Sequence, residues 1–251
     1  METQVFKVPE SFKKDFKYTF CPGCDHGVAI RLVGECLDEL GISDNAIIAA
    51  SIGCSVTIYD FLNIDALESP HGRAMAEATG IKRARPDKFV FTYQGDGDFA
   101  SIGLAEGIHA ALRGEKISAI CINNTTYGMT GGQLGPTTMM GQVTTTSPTG
   151  RNAEYYGYPI KIAEHIALCE GTAFSARVSL DSVANIRKAK QAIKKAFEVQ
   201  LQGLGLGFVE ILSGCPTNWR MTPEQSHERV KNEMQKTFPL GIYKDVTAET
   251  K

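Results

Sequence analysis

The sequence KFVFTYQGDGDFASIGLAEGIHAALRGEKISAICINN, residues 88–124, decides the fold. It begins with a β-rich apolar run, residues 88–94, and ends with another, residues 117–123. Between these runs, residues 100–113 carry apolar side chains at the spacing of a helix. A strand, a helix and a second strand in this order predict a βαβ unit, in which the two strands are parallel.

The same alternation of strands and helices extends over the rest of the chain. The other predicted strands are residues 46–51, 173–180 and 208–212. The other predicted helices are residues 26–40, 72–84, 159–170 and 182–201. Because the predicted strands are apolar on both faces, they indicate a sheet that is covered on both sides. We therefore predict an α/β fold, a parallel sheet flanked by helices, in one domain that spans residues 1–251.

Length and composition narrow the class of protein. A chain of 251 residues with 43% hydrophobic side chains can bury one sizeable core. Its formal net charge of -2, without a basic stripe, implies neither nucleic acid nor a membrane surface as a partner. The first residues, METQVFKVPESFKKDFKYTF, contain no apolar core of signal-peptide length. We expect a cytoplasmic enzyme that acts on small molecules.

The residues directly after the predicted strands are candidates for ligand binding, since parallel sheets bind ligands at the carboxyl ends of their strands. GDGD, residues 95–98, follows one strand, and Asn123 and Asn124 end the next. Asp96 and an asparagine side chain supply the hard oxygen donors that magnesium prefers. A helix that begins near Phe99 would direct its N-terminus at a bound anion. The plain alternative is that GDG forms a tight turn and the asparagines cap a helix or lie in a loop.

A long irregular segment, residues 125–158, is dense in glycine, threonine and proline. It follows directly after the strand that ends at Asn123. Loops of this length inside a compact domain are usually functional or disordered. We interpret this one as functional because of its position.

Seven cysteines in a cytoplasmic chain indicate metal binding, catalysis or burial in preference to disulfides. Four of them stand near the ends of predicted elements, in CPGC, SIGCS and SGCPTNW: Cys21, Cys24, Cys54 and Cys215. Their thiolates are free to converge on one metal centre. A structural zinc site is the alternative, although such sites usually contain two CxxC pairs and this chain has one. The others read as small buried hydrophobes: Cys36, Cys121 and Cys169.

The motif GDG followed by Asn-Asn resembles the diphosphate-binding half of thiamine-diphosphate enzymes, with matching spacing. The resemblance implies that Asp96, the Asn124 side chain and the Thr126 carbonyl bind magnesium. It also implies a set of residues around the cofactor: Ile52, Gly53, Cys54, Ser55, Gly97, Asp98, Gly128 and Met129.

The cysteine pattern in such a fold resembles the β subunits of 2-oxoacid:ferredoxin oxidoreductases, which hold a 4Fe-4S cluster near the thiamine ring. Further segments look like family motifs in family order: CPGCDHG, IGCS, HGRA, ATGIKRARPD, GIHAALRG, NNTTYGMTGGQLGPTT, TTTSPTGR and CPTNW. The resemblance implies that Cys21, Cys24, Cys54 and Cys215 hold the cluster. It is strongest to the 2-oxoisovalerate and 2-oxoglutarate branch.

The resemblance also implies a reaction and partners. Thiamine diphosphate attacks the keto carbon of a 2-oxoacid, carbon dioxide leaves, two electrons pass singly through the cluster to ferredoxin, and coenzyme A takes the acyl group. The activating glutamate belongs to an α chain, accompanied by γ and ferredoxin-like subunits. His71, in the glycine-flanked loop SPHGRA, is the candidate catalytic histidine, with a loop-ordering hydrogen bond as the alternative role. His109 is predicted to pack within its helix, and His26, His165 and His227 carry no signal.

The stretch after Cys54, SVTIYDFLNID, contains no lysine or arginine, so we expect it to line an apolar substrate pocket. That favours a neutral, branched substrate such as 2-oxoisovalerate over 2-oxoglutarate. Arg73 or the α chain are alternative sources of a cation for a second carboxylate. Two other functions stay open: a non-redox thiamine-diphosphate decarboxylase subunit, and a non-catalytic assembly subunit with a zinc site.

Overall fold

A seven-stranded sheet forms the centre of the computed structural model, which describes residues 7–248. The strands of the chain are β1 (Ala46–Ser51), β2 (Asp65–Ser69), β3 (Phe89–Gly95), β4 (Ser118–Asn123), β5 (Thr126–Tyr127), β6 (Gln133–Leu134), β7 (Thr172–Ser179), β8 (Leu206–Leu212) and β9 (Gly241–Asp245). The sheet has the order β2-β1-β3-β4-β8-β7-β9, and β5 pairs with β6 in a separate hairpin. All neighbours in the sheet are parallel except β9, which is antiparallel to β7.

Helices cover both faces of the sheet. They are α1 (His26–Glu39), α2 (Ile58–Phe61), α3 (Ala74–Ala84), α4 (Leu104–Leu112), α5 (Ala153–Tyr156), α6 (Ile162–Ala167), α7 (Val183–Leu201), α8 (Pro216–Trp219), α9 (Pro223–Arg229) and α10 (Gln235–Thr237). The long helices α1 and α7 pack on one face, and α3, α4 and α6 on the other. Within residues 7–248, no helix is long and apolar enough to cross a bilayer.

Each face of the sheet buries its own hydrophobic core. On the α7 face, Phe89 packs edge-to-face against Phe197 with ring centroids 4.9 Å apart. On the opposite face, Phe99 packs against Phe208 at 5.1 Å. A fully buried side chain of this size contributes about 1.5–3 kcal/mol to stability. Because both faces of the sheet are buried, the central strands are apolar on both faces.

The predicted α/β fold, a mostly parallel sheet with flanking helices, is confirmed. The five predicted strands occur within two residues of their predicted bounds, as β1, β3, β4, β7 and β8. Two strands, β2 and β9, were not predicted; they are the edge strands and are largely exposed or half-buried. The helical segment from α8 to α10 was not predicted either. The N-terminal stretch was predicted to contain no signal peptide. Its first six residues, METQVF, lie outside the described residues.

The segment that follows β4 is irregular, as predicted, apart from the β5–β6 hairpin and α5. Its organising residue is Arg151, which is 5% exposed and donates hydrogen bonds to six backbone carbonyls at 2.8 to 3.2 Å. The acceptors belong to Gly135, Pro136, Thr138, Tyr156, Gly157 and Tyr158. One buried guanidinium therefore holds residues 135–138 against residues 156–158 at the end of the loop.

We expect Arg151→Met to loosen this loop, because methionine fills similar space but donates no hydrogen bond. Leaving buried carbonyls unpaired should cost about 2–4 kcal/mol in the free energy of unfolding. Limited proteolysis should then cleave within residues 128–158. The control is Arg187→Met on the exposed side of α7. Equal cleavage rates in the two variants would contradict this role of Arg151.

Candidate cofactor and metal site

The carboxyl ends of three strands meet at one point, since β1 pairs with β3 and β3 with β4. The segments after these strands enclose a cavity of about 120 Å³, here called the strand-end cavity. It is lined by every residue predicted for the cofactor, the magnesium ion or catalysis: Ile52, Gly53, Cys54, Ser55, His71, Asp96, Gly97, Asp98, Asn124, Thr126, Gly128 and Met129. The structure thus brings together residues that follow four separate strands, since His71 lies just after β2.

Asp96, at the end of β3, is 2% exposed. Its Oδ2 accepts a hydrogen bond from the hydroxyl of Thr137. Burial raises the pKa of this carboxyl to about 7, against the opposing effect of Thr137 and nearby backbone N–H groups. A buried carboxylate is costly until a cation neutralises it. The position of Asp96 therefore suits a divalent cation.

The two other predicted magnesium ligands, Asn124 and Thr126, lie in a tight turn after β4. The Asn124 Oδ1 accepts from the Thr126 N–H at 3.2 Å, and the Asn123 Oδ1 accepts from the Thr125 N–H at 3.1 Å. Thr125 has a φ of 60°, in the left-handed region that threonine rarely adopts. Backbone strain of this kind is concentrated at functional sites.

A buried network of one amide, one carboxylate and one guanidinium supports this turn. The Asn123 Nδ2 donates to Glu210 Oε1 at 2.7 Å, and Arg177 Nε donates to Glu210 Oε2 at 2.8 Å. All three residues are at most 1% exposed. No motif in the sequence pointed to Glu210 or Arg177, because the network connects three different strands, β4, β8 and β7.

Asp98 was predicted to line the diphosphate, but both its carboxylate oxygens are bound within the protein. Its Oδ1 accepts from the Gly72 N–H at 2.6 Å and from His71 Nδ1. Its Oδ2 accepts from Gln94 Nε2 at 2.5 Å. The Asp98 side chain therefore orients His71. The backbone of Asp98 remains available to contact a diphosphate. Asp98 also begins a π-helical turn, Asp98–Ile102, so that α4 starts later than predicted.

His71 presents one face of its ring to the strand-end cavity. Its Nδ1 is bound to Asp98, and the ring packs edge-to-face on Tyr127 at 6.2 Å. In the described part of the chain, no group hydrogen-bonds to its Nε2. The loop-ordering hydrogen bond, which was the alternative role of His71, is therefore present in the bond from Nδ1 to Asp98. The ring Nε2 remains available. The prediction for His109 is wrong, because its side chain is exposed on α4.

The predicted metal-binding cysteines line a second cavity of about 410 Å³, here called the cysteine cavity. They are Cys21 and Cys24 before α1, Cys54 after β1 and Cys215 after β8. The remaining cysteines are buried elsewhere, as predicted: Cys36, Cys121 and Cys169. Cys169 lies just beyond α6 and not at its last residue.

The two cavities have a common wall. His26, Cys54, Asn124, Gly128 and Met129 line both of them. His26 is 3% exposed and its ring Nδ1 lies 2.8 Å from the Tyr93 hydroxyl. Burial lowers the pKa of His26 to about 4. A group bound in one cavity would thus contact residues that also contact a group in the other.

A buried aspartate ties the cysteine-bearing segments together. Asp25, next to Cys24, accepts from the Gly214 N–H at 2.6 Å, and Gly214 precedes Cys215. Its other oxygen lies 2.8 Å from His227 Nε2 on α9. This contact raises the pKa of His227. The sequence analysis assigned no role to either residue, since the contact joins segments about two hundred positions apart.

Burial affects the protonation of two of the thiols that line the cysteine cavity. Burial raises the pKa of Cys24 to about 12 and that of Cys54 to about 11, so both stay protonated until a metal replaces the proton. Among residues 7–248, no three histidine, cysteine, aspartate or glutamate side chains converge closely enough for one metal ion. Four cysteines line this one cavity, and four thiolates are the usual ligand set of a 4Fe-4S cluster, in which each binds a different iron.

Comparison with known proteins agrees with this geometry. Residues 43–210 match the family of C-terminal thiamine pyrophosphate binding domains of thiamine pyrophosphate enzymes. The ketoisovalerate oxidoreductase subunit VorA of Methanothermobacter thermautotrophicus is 48% identical over 100% of this chain and 54% of its own length. The 2-oxoglutarate synthase subunit KorB of Methanocaldococcus jannaschii is 39% identical over 92% of this chain and 83% of its own length.

Among solved structures, a 2-oxoglutarate:ferredoxin oxidoreductase from Magnetococcus marinus, with 2-oxoglutarate, coenzyme A and succinyl-CoA bound, matches with a TM-score of 0.78 and 27% identity. The match covers 96% of this chain and 86% of that chain. The fold and its site thus define a thiamine pyrophosphate-binding domain. More narrowly, the chain belongs to the 2-oxoacid:ferredoxin oxidoreductase family. It spans about half the length of the VorA subunits that it matches.

Proposed function

We propose that this chain is the β subunit of a cytoplasmic 2-oxoacid:ferredoxin oxidoreductase. In this proposal it binds magnesium, thiamine diphosphate and a 4Fe-4S cluster, and takes part in the oxidative decarboxylation of a 2-oxoacid to its acyl-CoA. The observation that carries the proposal is the common wall of the strand-end and cysteine cavities. Electron transfer requires that donor and acceptor lie close together. A cofactor in one cavity and a cluster in the other would contact the same five residues.

In the strand-end cavity, Asp96, Asn124 and the Thr126 carbonyl would hold the magnesium ion and through it the diphosphate. Gly97 allows the Tyr127 ring to pack against this loop, since a Cβ on Gly97 would lie 2.2 Å from that ring. Bound thiamine diphosphate supplies the nucleophile and the electron sink for decarboxylation. The protein's own part is to orient the cofactor and to keep water from the reacting atoms.

In the cysteine cavity, Cys21, Cys24, Cys54 and Cys215 would ligate the cluster as thiolates. The Asn218 Nδ2 lies 3.3 Å from the Cys215 Sγ and 2.8 Å from the Gly128 carbonyl. It therefore links a cluster ligand to the cofactor loop. Electrons would leave through this cluster towards ferredoxin.

The remaining catalytic group would come from a partner chain. Thiamine activation needs a glutamate, and no glutamate is among the described residues that line either cavity. An α chain would supply it, with γ and ferredoxin-like subunits completing the complex and coenzyme A as the second substrate.

The test is turnover by the complex, purified anaerobically, against turnover by this chain alone. We expect coenzyme A-dependent reduction of a viologen with a 2-oxoacid by the complex, and none by the single chain. Turnover by the single chain would contradict the division of the site between two chains. An iron-free complex that still decarboxylates would indicate a non-redox decarboxylase.

His71 is proposed as the catalytic histidine, with its free Nε2 available for proton transfer. We expect His71→Asn to lower kcat by roughly 10²–10⁴-fold, the range for loss of an acid–base group, with cofactor content unchanged. The exposed His109 provides the matched control, as His109→Asn. A kcat within a factor of two of wild type would leave His71 with only its loop-ordering role.

We also propose that the substrate is a branched 2-oxoacid such as 2-oxoisovalerate. The prediction that the stretch after Cys54 lines the substrate pocket must be corrected. Of the stretch after Cys54, only Ser55 and Thr57 line the cavities, whereas Ile58 and Phe61 pack into the core. No lysine or arginine is among the described residues that line either cavity. Arg73 points elsewhere and pairs with Glu106.

We therefore expect the reconstituted complex to prefer 2-oxoisovalerate, as the name of the VorA relative suggests. Burying an isopropyl group gains roughly 1.5–3 kcal/mol, whereas an unpaired carboxylate is costly to desolvate. The measurement is the ratio of kcat/KM for 2-oxoisovalerate and 2-oxoglutarate. A tenfold or greater preference for 2-oxoglutarate would contradict this assignment and place a cation from the α chain in the pocket.

A further inference from the structure

His26 lies in the common wall of the two cavities, although nothing in the sequence marked it. It is the first residue of α1, two positions after Cys24, and is 3% exposed. Its ring lines the cysteine cavity together with Cys21, Cys24, Cys54 and Cys215. His26 therefore lies beside one of the four cysteines, and its ring borders the same cavity as all of them.

The ring of His26 is held in one orientation from two sides. It stacks parallel on Phe20, with centroids 5.0 Å apart and an interplanar angle of 6°. Its Nδ1 lies 2.8 Å from the Tyr93 hydroxyl. Within the described residues, Nε2 has no hydrogen-bond partner. The ring is therefore buried and held in one orientation, and its Nε2 is unpaired. Such a ring can hydrogen-bond to a group that the protein binds.

The Tyr93 hydroxyl determines which nitrogen carries the proton. Tyr93 is 0% exposed, and in residues 7–248 the His26 Nδ1 is the one group hydrogen-bonded to its hydroxyl. A buried hydroxyl hydrogen needs an acceptor. Tyr93 therefore donates to Nδ1, and this leaves the proton of the neutral ring on Nε2. The ring presents a fixed N–H donor to the common wall.

We propose that His26 Nε2–H donates a hydrogen bond to the iron–sulfur group in the cysteine cavity and makes that group easier to reduce. The proposal rests on the proposed function. Two observations favour the cluster over the diphosphate as the acceptor. His26 lies two positions after Cys24, and Phe20, on which its ring stacks, lines the cysteine cavity and not the strand-end cavity.

The physical effect is on the reduced cluster. The cluster accepts one electron and gains one negative charge, while no bond forms or breaks and the proton stays on Nε2. A hydrogen bond to a more negative acceptor is stronger, so the donor stabilises the reduced state relative to the oxidised state. His26 would thus raise the reduction potential and favour electron transfer from the thiamine site.

The test is a redox titration of the anaerobic complex, followed by the paramagnetic signal of the reduced cluster. His26→Phe keeps a ring to stack on Phe20 but removes the donor. We expect the equilibrium constant for one-electron reduction to fall about tenfold, equivalent to about 59 mV. His26→Gln should recover part of this loss, because its amide is a donor. The matched control is His165→Gln, an exposed histidine on α6.

The outcomes separate this proposal from the proposed function. Wild-type complex without an iron–sulfur signal would mean that the proposed function fails. A full signal in His26→Phe with an unchanged potential would overturn the role of His26, and so would a tenfold loss of thiamine diphosphate affinity at unchanged potential. If His26→Phe loses its iron, His26→Gln decides. An equilibrium constant for reduction less than tenfold below that of wild type supports the donor, and one tenfold or more below it overturns the donor.

Discussion

Asp96→Asn should abolish binding of magnesium and thiamine diphosphate while making the unliganded chain more stable. The substitution removes the charged ligand, so affinity should fall at least 100-fold. It also removes the cost of a buried carboxylate. Because burial raises the pKa of Asp96 to about 7, the ionised form destabilises the empty site by up to about 4 kcal/mol. The amide oxygen of the introduced asparagine can still accept the Thr137 hydrogen bond.

The pH dependence of this gain has a definite sign. The folded-state pKa lies above the unfolded value, so wild type loses stability as the pH rises above about 4, until about 7. The stability difference between Asp96→Asn and wild type should therefore be small at pH 4 and largest above pH 7. Urea unfolding at several pH values and calorimetric titration with magnesium and thiamine diphosphate measure the two effects. The exposed Asp44 serves as the control, as Asp44→Asn.

Unchanged cofactor affinity in Asp96→Asn would show that Asp96 does not ligate the magnesium. A loss of affinity accompanied by a loss of stability would show instead that Asp96 is a structural residue. The account predicts opposite signs for the two quantities.

Cys54→Ser and Cys215→Ser should each lose the iron–sulfur cluster. A serine oxygen is a poor substitute for a thiolate, and both side chains face the cysteine cavity. Iron should fall from about four atoms per chain to below one, together with the visible absorption and the paramagnetic signal. Cys54→Ser should also weaken thiamine diphosphate binding, because Cys54 lines both cavities.

The matched controls are the other three cysteines, replaced by alanine because they are buried: Cys36, Cys121 and Cys169. Their variants should keep their iron, even where the loss of a buried thiol lowers stability. Full iron in Cys215→Ser would contradict the ligand assignment. One tightly bound zinc per wild-type chain, with no iron, would favour a structural zinc site.

Periodicity and residue order predicted the central strands and the polar GDGD and Asn-Asn segments at their ends, whereas the other residues around the strand-end cavity came from the resemblance to thiamine-diphosphate enzymes. Residues 88–124 are apolar on both faces of their strands, and the polar residues follow directly at the strand ends. Local order and periodicity therefore determine which side chains meet. The edge strands β2 and β9 could not be predicted in this way, since they are short and partly exposed.

Roles that depend on distant hydrogen bonds were also beyond the sequence. The pairing of Asp98 with His71, and of Asp25 with Gly214, becomes visible only when the segments are adjacent. His26 is a similar case, because its role depends on the Tyr93 hydroxyl 67 positions away. Motifs locate the ligands of a site, whereas the residues that orient them come from elsewhere in the fold.

The central claim is that electrons from a 2-oxoacid, released at the strand-end cavity, enter a cluster held in the cysteine cavity. It is tested most directly by mixing the oxidised anaerobic complex with a 2-oxoacid and recording the paramagnetic spectrum. The account predicts that a reduced 4Fe-4S signal appears in wild type, and that it stays absent in Asp96→Asn although its cluster is reducible by dithionite. A wild-type cluster that dithionite reduces and no 2-oxoacid reduces would contradict the account.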